Sequence, residues 1–186
     1  PCLIRVPSDE TVWIKKALDI GAEGVIVPQV HNEVQAKRII ADCKYSPVGE
    51  RGIGIGRAHK YGIEFERYLK NANTETAIIL QAESSEAAKN IEKIVAVEGV
   101  DAILIGPYDL SASLGKPGEI NHPVVQSAIE RIIDACQAAT ISMGIFGINA
   151  EAVLPYKEKG FNLLAVGIDT AFLISSAKDT LIKMKD

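Results

Sequence analysis

Two acidic residues, Glu83 and Asp109, follow apolar runs of the sequence and could act together. The run 77–80 precedes Glu83, and the run 102–105 precedes Asp109. The two acids are 26 residues apart (83 to 109), about one strand–helix repeat, so we expect them at the carboxyl ends of adjacent parallel strands. Two carboxylates there suit a hard divalent ion such as Mg²⁺ or Mn²⁺, which keeps waters that a substrate can replace.

Each acid also has a purely structural explanation. Asp109 could cap the short helical turn 110–114, and Glu83 could lie near a helix start because a negative charge interacts favourably with the helix dipole. Either explanation is sufficient for one residue alone. The spacing of the pair, at one strand–helix repeat, favours a shared metal ion.

Composition predicts one globular domain over residues 1–186. With 47% hydrophobic and 24% charged residues, the chain can bury a sizeable core. The formal charge of −4, without an aromatic and basic platform, argues against binding to nucleic acid.

The cysteines indicate the cellular compartment. Cys2, Cys43 and Cys136 have no CxxC spacing, and this lack is typical of proteins in a reducing compartment. We expect a cytoplasmic protein that does not contact a membrane, because the sequence has no signal peptide or apolar run of transmembrane length.

Alternating strand and helix patterns predict a parallel sheet covered by helices. Three segments, G21AEGVIVP, G99VDAILIGP and G160FNLLAVGI, each join a glycine to a hydrophobic strand. Six strands are predicted in all, near Leu3, Val25, Ala77, Ala102, Ser142 and Leu163. An eightfold barrel usually needs about 250 residues and two further strand–helix units.

Local signals predict where several helices begin. Pro7 and Ser8 are expected to open the first helix, and Asn32, Ser84 and Asn149 are expected to cap later ones. The segment 45–62, which contains five glycines, predicts a long polar loop near a site. Its glycine pattern does not match a dinucleotide fingerprint, although phosphate binding is an alternative use for it.

Several ordered motifs resemble the class II pyruvate-dependent aldolases of the HpcH/HpaI type, which include enzymes acting on 4-hydroxy-2-oxoheptanedioate and 2-dehydro-3-deoxyglucarate. The motifs are LIRVPSDE, LDIGAEGVIVPQV, ERGIGIGRAHKYG, LQAESSEA, VEGVDAILIGPYDLSASLG and LLAVGIDT. The resemblance implies a TIM (β/α)₈ barrel of the phosphoenolpyruvate/pyruvate-binding type, here lacking the first two strand–helix units. It also implies a homo-trimer or homo-hexamer in which neighbours exchange the last helix.

The same resemblance implies an aldehyde-lyase that cleaves 4-hydroxy-2-oxo acids reversibly to pyruvate and an aldehyde. The reaction would pass through a metal-chelated pyruvate enolate and use Mg²⁺, Mn²⁺ or Co²⁺. By resemblance, Glu83 and Asp109 are the metal ligands and Gln81 contacts the substrate. The backbone N–H groups of Tyr108 and Asp109 would hold the pyruvate carboxylate. Tyr108 replaces a small residue of many relatives, so we expect a reshaped pocket mouth.

Two further residues receive catalytic roles from the resemblance. Arg5 would stabilise the enolate, and Asp19 would raise the basicity of a catalytic histidine, across a subunit contact. An arginine among Leu3, Ile4 and Val6 would be costly to bury without an anion, which a chelated oxo acid supplies. The alternatives are an arginine that points to solvent from an edge strand, and a polar Asp19 near a helix end.

The sequence departs from the family pattern in its catalytic base. The family's catalytic histidine and its companion aspartate belong to the second barrel strand, ahead of Pro1. His31, His59 and His122 do not match that base, and we expect them to be surface, capping or structural residues. The chain is then a fragment of a longer polypeptide, receives the strands from another chain, or is catalytically impaired.

Two other functions are compatible with the same residues. An acyl-CoA lyase or another enolpyruvate-handling enzyme would need further basic residues near the pocket, and Arg51, Arg57 and Lys60 are the clustered candidates. A non-catalytic chain would bind only metal and oxo acid, or would assemble with other subunits.

Overall fold

Six parallel strands form one sheet in the computed structural model, which describes residues 1–185. The strands are β1 (Leu3–Arg5), β2 (Gly24–Val27), β3 (Ala77–Ala82), β4 (Ala102–Ile105), β5 (Ser142–Gly147) and β6 (Leu163–Val166). They pair in chain order from β1 to β6 and curl into half a barrel. The predicted parallel α/β architecture is therefore confirmed, with every predicted strand in place.

Helices connect the strands along the outer face of the sheet. Within residues 1–185 they are α1 (Thr11–Asp19), α2 (Glu33–Cys43), α3 (Phe65–Glu75), α4 (Ser85–Val95), α5 (Pro107–Ser113), α6 (Pro123–Ala139), α7 (Ala150–Glu158) and α8 (Asp169–Lys183), with a 3₁₀ helix at Arg57–Gly62. The side chains of Asn32, Ser84 and Asn149 accept hydrogen bonds from the first turns of α2, α4 and α7, as predicted. No helix in this part of the chain is both long enough and apolar enough to cross a membrane.

The first helix begins later than the sequence predicts. It starts at Thr11, after Glu10, and not at Pro7 and Ser8. The reason is that Asp9 faces α2, where its carboxylate accepts hydrogen bonds from Gln35 and Arg38. These bonds hold the preceding residues as a loop.

The two faces of the sheet have different roles. Ile78, Leu80 and Ile103 are fully buried against the helices in the main core. The inner face carries a smaller apolar cluster that includes Ile79 and Leu104. Because successive side chains of a strand point to opposite faces, Gln81 follows Ile79 and Arg5 follows Leu3 on the inner face. Polar groups therefore lie together on the inner face of the sheet, at the carboxyl ends of its strands.

Candidate metal and substrate site

A cavity of about 560 Å³ lies at the carboxyl ends of the strands, on the inner face. Its lining combines polar and apolar side chains: Arg5, Ile26, Gln81, Leu104, Gly106, Pro107, Tyr108, Asp109, Phe146, Ala165, Gly167 and Ile168. Two surface depressions of about 590 and 640 Å³ lie between α4 and α6 and beside β1, away from the two acids. The cavity of about 560 Å³ at the carboxyl ends of the strands is therefore the candidate site.

Glu83 lies directly after β3 and is only 3% exposed. Its Oε1 accepts a 2.9 Å hydrogen bond from the backbone N–H of Gln29, and its Oε2 accepts a 2.5 Å bond from Gln81 Nε2. Burial raises the pKa of Glu83 above its ordinary value, the Gln29 N–H opposes this, and the nearby negative charge of Asp109 raises the pKa further. The two acids predicted from the sequence spacing are thus close neighbours.

Gly106 makes room for this pair. A Cβ at Gly106 would lie 2.7 Å from Glu83 Oε2, 2.9 Å from Glu83 Cβ and 3.0 Å from Gln81 Nε2. Real Cβ atoms essentially never come closer than 3.0 Å to another heavy atom. Only glycine therefore lets the turn after β4 pass over the buried acid and place Asp109 beside it.

Arg5 extends the polar group along the cavity floor. Its Nε donates a 3.1 Å hydrogen bond to Gln81 Oε1, so Arg5, Gln81 and Glu83 form a continuous chain of contacts. Arg5 is exposed, so the cost of burying its charge without an anion does not arise in this chain. It lies at the end of the edge strand β1, yet it lines the cavity and does not point away from it.

Tyr108 and Asp109 belong to the first turn of α5, and both line the cavity. Their backbone N–H groups have no acceptor within the helix, as is general for the first turn. The Tyr108 side chain is 41% exposed at the mouth. The predicted position of this ring at the entrance therefore agrees with the fold.

Asp19 is not brought to this cavity within one chain. Asp19 is the last residue of α1. A helix that follows a strand of a parallel sheet runs back and ends near the amino ends of the strands, whereas the cavity lies at their carboxyl ends. Its carboxylate accepts hydrogen bonds of 2.8 Å from Lys15 Nζ and 2.9 Å from Arg51 Nη2. The catalytic role that the resemblance gives to Asp19 stays a prediction that needs a second subunit.

The segment 45–62, predicted as a long polar loop, has buried polar side chains. Arg51 and His59 are buried, and His59 bonds to Gly54 O (2.6 Å) and to the Gly62 N–H (3.2 Å) through its two ring nitrogens. Of the expected surface or capping roles, His59 has the capping role: it is buried, and its Nε2 lies 3.0 Å from the backbone N of Gly56, the residue that precedes the 3₁₀ helix. Arg57 and Lys60 line the depression beside β1, so the basic cluster that a CoA site would need does not face the candidate cavity.

The other two histidines have local partners. His31 Nδ1 lies 2.8 Å from Ser84 Oγ, and His122 Nδ1 accepts a 3.3 Å hydrogen bond from the Val124 N–H at the start of α6. The predicted structural role of His122 is confirmed, because its side chain caps α6. His31 is half-buried in the turn that leads to α2.

Sequence reasoning missed part of the lining. The apolar wall is formed by Ile26, Leu104, Phe146 and Ala165, which alternate with core residues along their strands. Counting every second residue back from Gln81 and across the sheet would have found it. Gln29 was also missed, because no motif indicates that its backbone turns towards Glu83.

Comparison with known proteins agrees with this site. The family model described as HpcH/HpaI aldolase/citrate lyase matches residues 2–176. The chain belongs to this family. Among relatives, a 2-dehydro-3,6-dideoxy-6-sulfogluconate aldolase of Pseudomonas putida is 39% identical over 98% of this chain and 72% of its own length. A hydroxypyruvate/pyruvate aldolase of Roseobacter denitrificans is 36% identical with the same coverage.

Solved structures of the HpcH/HpaI family give the same result. A family protein from Burkholderia cenocepacia superposes with a TM-score of 0.93 at 34% identity, covering 99% of this chain and 73% of its own. The predicted enzyme class, a class II pyruvate aldolase and hence a carbon–carbon lyase, is confirmed by these comparisons. Aldolases of this class in the HpcH/HpaI family are generally dependent on a divalent metal.

The residues present fit such a metal. Burial, and to a lesser extent the neighbouring charge of Asp109, raises the pKa of Glu83, and a cation next to both carboxylates would offset these effects. Within residues 1–185 no group of three or more His, Cys, Asp or Glu side chains is arranged to hold a metal ion. Two carboxylates with the remaining positions filled by water or substrate are a common arrangement for Mg²⁺.

Proposed function

We propose that this protein cleaves 4-hydroxy-2-oxo acids reversibly to pyruvate and an aldehyde, using Mg²⁺, Mn²⁺ or Co²⁺ held by Glu83 and Asp109. The observation that carries the proposal is the pairing of a buried glutamate, Glu83, with a neighbouring aspartate, Asp109, which lines the cavity. Glu83 lies directly behind two other lining residues, Gly106 and Gln81. The aldolase activities of the relatives agree with it.

When bound, the metal would supply Lewis-acid polarisation of the 2-oxo group. Gln81 lies between Arg5 and Glu83, so its amide is positioned to orient the oxo acid on the cavity floor. The N–H groups of Tyr108 and Asp109 would bind the substrate carboxylate. The apolar wall opposite these groups leaves space for the part of the substrate that becomes the aldehyde.

Cleavage breaks the C3–C4 bond of the substrate. The electron pair of that bond passes to the pyruvate portion, whose negative charge the guanidinium of Arg5 would stabilise. The proton of the 4-hydroxyl group must go to a base, and a proton must reach C3 of the enolate to give pyruvate. Among the described residues that line the cavity there is no histidine for these transfers. Arg5, Gln81 and Glu83 are therefore assigned to binding and charge stabilisation.

The proposal extends to the fold and the assembly. We propose that the six strands belong to a (β/α)₈ barrel, in line with the family, and that the protein forms a homo-trimer or homo-hexamer. The helix α8 supports assembly because none of its residues is buried within the described chain, although it presents several large apolar side chains: Phe172, Leu173, Ile174, Leu181 and Ile182. Light scattering after size-exclusion chromatography measures the oligomer size. A monomer at micromolar concentration would contradict this assembly.

The activity test measures pyruvate released from 4-hydroxy-2-oxo acids by the full chain, with and without added Mn²⁺. Glu83→Ala and Asp109→Ala are expected to lose most of this release, because each removes a proposed ligand. Glu86→Ala is the matched control, since Glu86 is an exposed glutamate three residues further along the chain. Cleavage that needs no metal and survives Glu83→Ala would refute the proposal.

A second assay separates the alternatives. An acyl-CoA thioester that competes with pyruvate for the site would favour a CoA-dependent lyase. Calorimetry with oxamate, alongside turnover, distinguishes a chain that binds oxo acid and metal from one that also cleaves. The position of Arg57 and Lys60 outside the cavity argues against the CoA function.

A further inference from the structure

Gln29 has a backbone conformation that is uncommon for a residue with a side chain. Its φ is +54°, in the left-handed region that favours glycine. Gln29 follows Pro28 in the turn after β2, and the next residue, Val30, returns to the sheet by donating a 3.3 Å hydrogen bond to Gln81 O. Residues in such conformations persist only where their surroundings hold them. Contacts around Gln29 must therefore stabilise this conformation.

The side chain of Gln35 bonds to both ends of this turn. Gln35, in the first turn of α2, donates from Nε2 to Gln29 O (3.1 Å) and to Asp9 Oδ2 (2.9 Å). Its Oε1 accepts a 2.8 Å hydrogen bond from the backbone N–H of His31. The amide of Gln35 thus fixes both the carbonyl of Gln29 and the peptide group two residues later.

This arrangement leaves the N–H of Gln29 pointing the other way, towards Glu83. The N–H donates the 2.9 Å hydrogen bond to Glu83 Oε1. The other oxygen, Oε2, faces Gly106 and Gln81, which line the cavity. Because Glu83 is buried, the N–H of Gln29 and the amide of Gln81 together fix the orientation of the carboxylate, with one oxygen on Gln29 and the other directed towards Gly106 and Gln81.

We propose that Gln35 is a positioning residue for the metal site and acts on Glu83 through the backbone of Gln29. The proposal rests on the proposed function, because it requires Glu83 to bind the cation. Groups that orient metal ligands commonly contribute about 10- to 100-fold to metal affinity. Loss of the Gln35 amide should therefore weaken metal binding although Gln35 touches neither metal nor substrate.

The first test compares Gln35→Met with Gln126→Met in the full chain. Both glutamines are half-buried and donate to a backbone carbonyl, Gln126 to Ile120 O at 2.8 Å, but Gln126 lies away from the cavity. Titration with Mn²⁺, followed by the electron paramagnetic resonance of free Mn²⁺, is expected to show about a tenfold weaker affinity for Gln35→Met. The affinity of Gln126→Met should match that of the unchanged protein.

A second test reads the backbone without any metal. Hydrogen exchange of the Gln29 amide should be faster in Gln35→Met than in Gln126→Met, because its carbonyl is no longer held. Gln29→Gly keeps the N–H and tolerates a positive φ, so it should retain Mn²⁺ affinity. Gln29→Val disfavours that conformation and should lose about tenfold. If Gln35→Met does not fold, the comparison of Gln29→Gly with Gln29→Val tests whether the backbone of Gln29 positions Glu83.

The outcomes separate this proposal from the proposed function. Unchanged Mn²⁺ affinity in Gln35→Met, or in Gln29→Val if the former is unfolded, overturns the positioning role while Glu83→Ala still abolishes binding. An unchanged protein that does not bind Mn²⁺ overturns both. Weaker affinity together with faster exchange of the Gln29 amide supports the positioning role.

Discussion

Arg51 and Asp19 form an ion pair that ties the glycine-rich segment to the end of α1: Arg51 Nη2 lies 2.9 Å from Asp19 Oδ1. The Arg51 side chain is fully enclosed, with its guanidinium carbon 4.5 Å from the ring centre of Tyr45 and 5.7 Å from that of Tyr68. Asp19 is partly exposed and also pairs with Lys15. The segment that the sequence predicts as a long polar loop is therefore anchored by a buried cation.

Asp19→Ala should destabilise the protein, because it leaves the buried guanidinium of Arg51 without its carboxylate. Breaking one partner of a buried pair costs about 3 kcal/mol or more. Urea unfolding measures the change. Glu92→Ala is the control, since Glu92 forms an exposed pair with Arg131 and should cost less than about 1 kcal/mol. Equal losses of unfolding free energy in the two variants would show that the Arg51–Asp19 pair stabilises the protein no more than an exposed ion pair does.

Asp42 should make stability depend on pH. Burial raises its pKa above the ordinary value of 3.8, and the hydroxyl of Thr11 opposes this by donating to Oδ2. A carboxyl with a raised pKa holds its proton more tightly in the folded state, so the free energy of unfolding falls as pH rises from 3.8 through the raised pKa. Asp42→Asn removes this fall and should be more stable than the unchanged protein at pH 7.

The measurement for Asp42 is the free energy of unfolding at a series of pH values. The two curves should converge below pH 3.8, where the carboxyl is protonated in both states. Asp134→Asn, on the exposed side of α6, serves as the control and should leave the curve unchanged. A pH dependence in Asp42→Asn that equals that of the unchanged protein would contradict this explanation.

Gly106→Ala should impair the site more than the fold. Its new Cβ would meet Glu83 Oε2 at 2.7 Å, so the carboxylate must leave its observed position. We expect about a 10- to 100-fold loss in Mn²⁺ affinity and in pyruvate release. Gly52→Ala is the control, because a Cβ there lies no closer than 3.9 Å to the end of Lys15. Retained affinity in Gly106→Ala would mean that Glu83 does not need its observed position.

The sequence was sufficient to predict the six strands and the acidic pair. Strands such as β4 coincide with the predicted apolar run, because a buried parallel strand reads as a short continuous hydrophobic segment between turn residues. Glu83 and Asp109 could be paired because equivalent positions one repeat apart lie side by side in a parallel sheet. These are properties of local pattern and period.

Long-range partners could not be read from the pattern. The burial of Arg51 depends on two tyrosines and on Asp19, and nothing near Arg51 in the sequence indicates these contacts. The start of α1 depends in the same way on bonds between Asp9 and α2. The conformation of Gln29 depends on a side chain six residues later. Tertiary contacts overrode the local signals at each position.

Tyr108→Ala should change which aldehydes react while leaving pyruvate binding intact. The ring lines the mouth of the cavity, whereas the proposed contact with the pyruvate carboxylate uses backbone N–H groups. Removing the ring enlarges the mouth, so kcat/KM for bulky aldehydes in the reverse, bond-forming direction should rise roughly tenfold relative to that for small ones. Rates with a series of aldehydes of increasing size measure the effect.

Tyr108→Phe separates the bulk of the ring from its hydroxyl group. If size sets the preference, this variant should select aldehydes as the unchanged protein does, because its ring fills the same space. A Tyr108→Phe variant that behaves like Tyr108→Ala would instead assign the selectivity to a hydrogen bond from the phenol. Unchanged ratios in both variants would remove Tyr108 from the determinants of specificity, and the apolar wall from Leu104 to Phe146 would then have to set the preference.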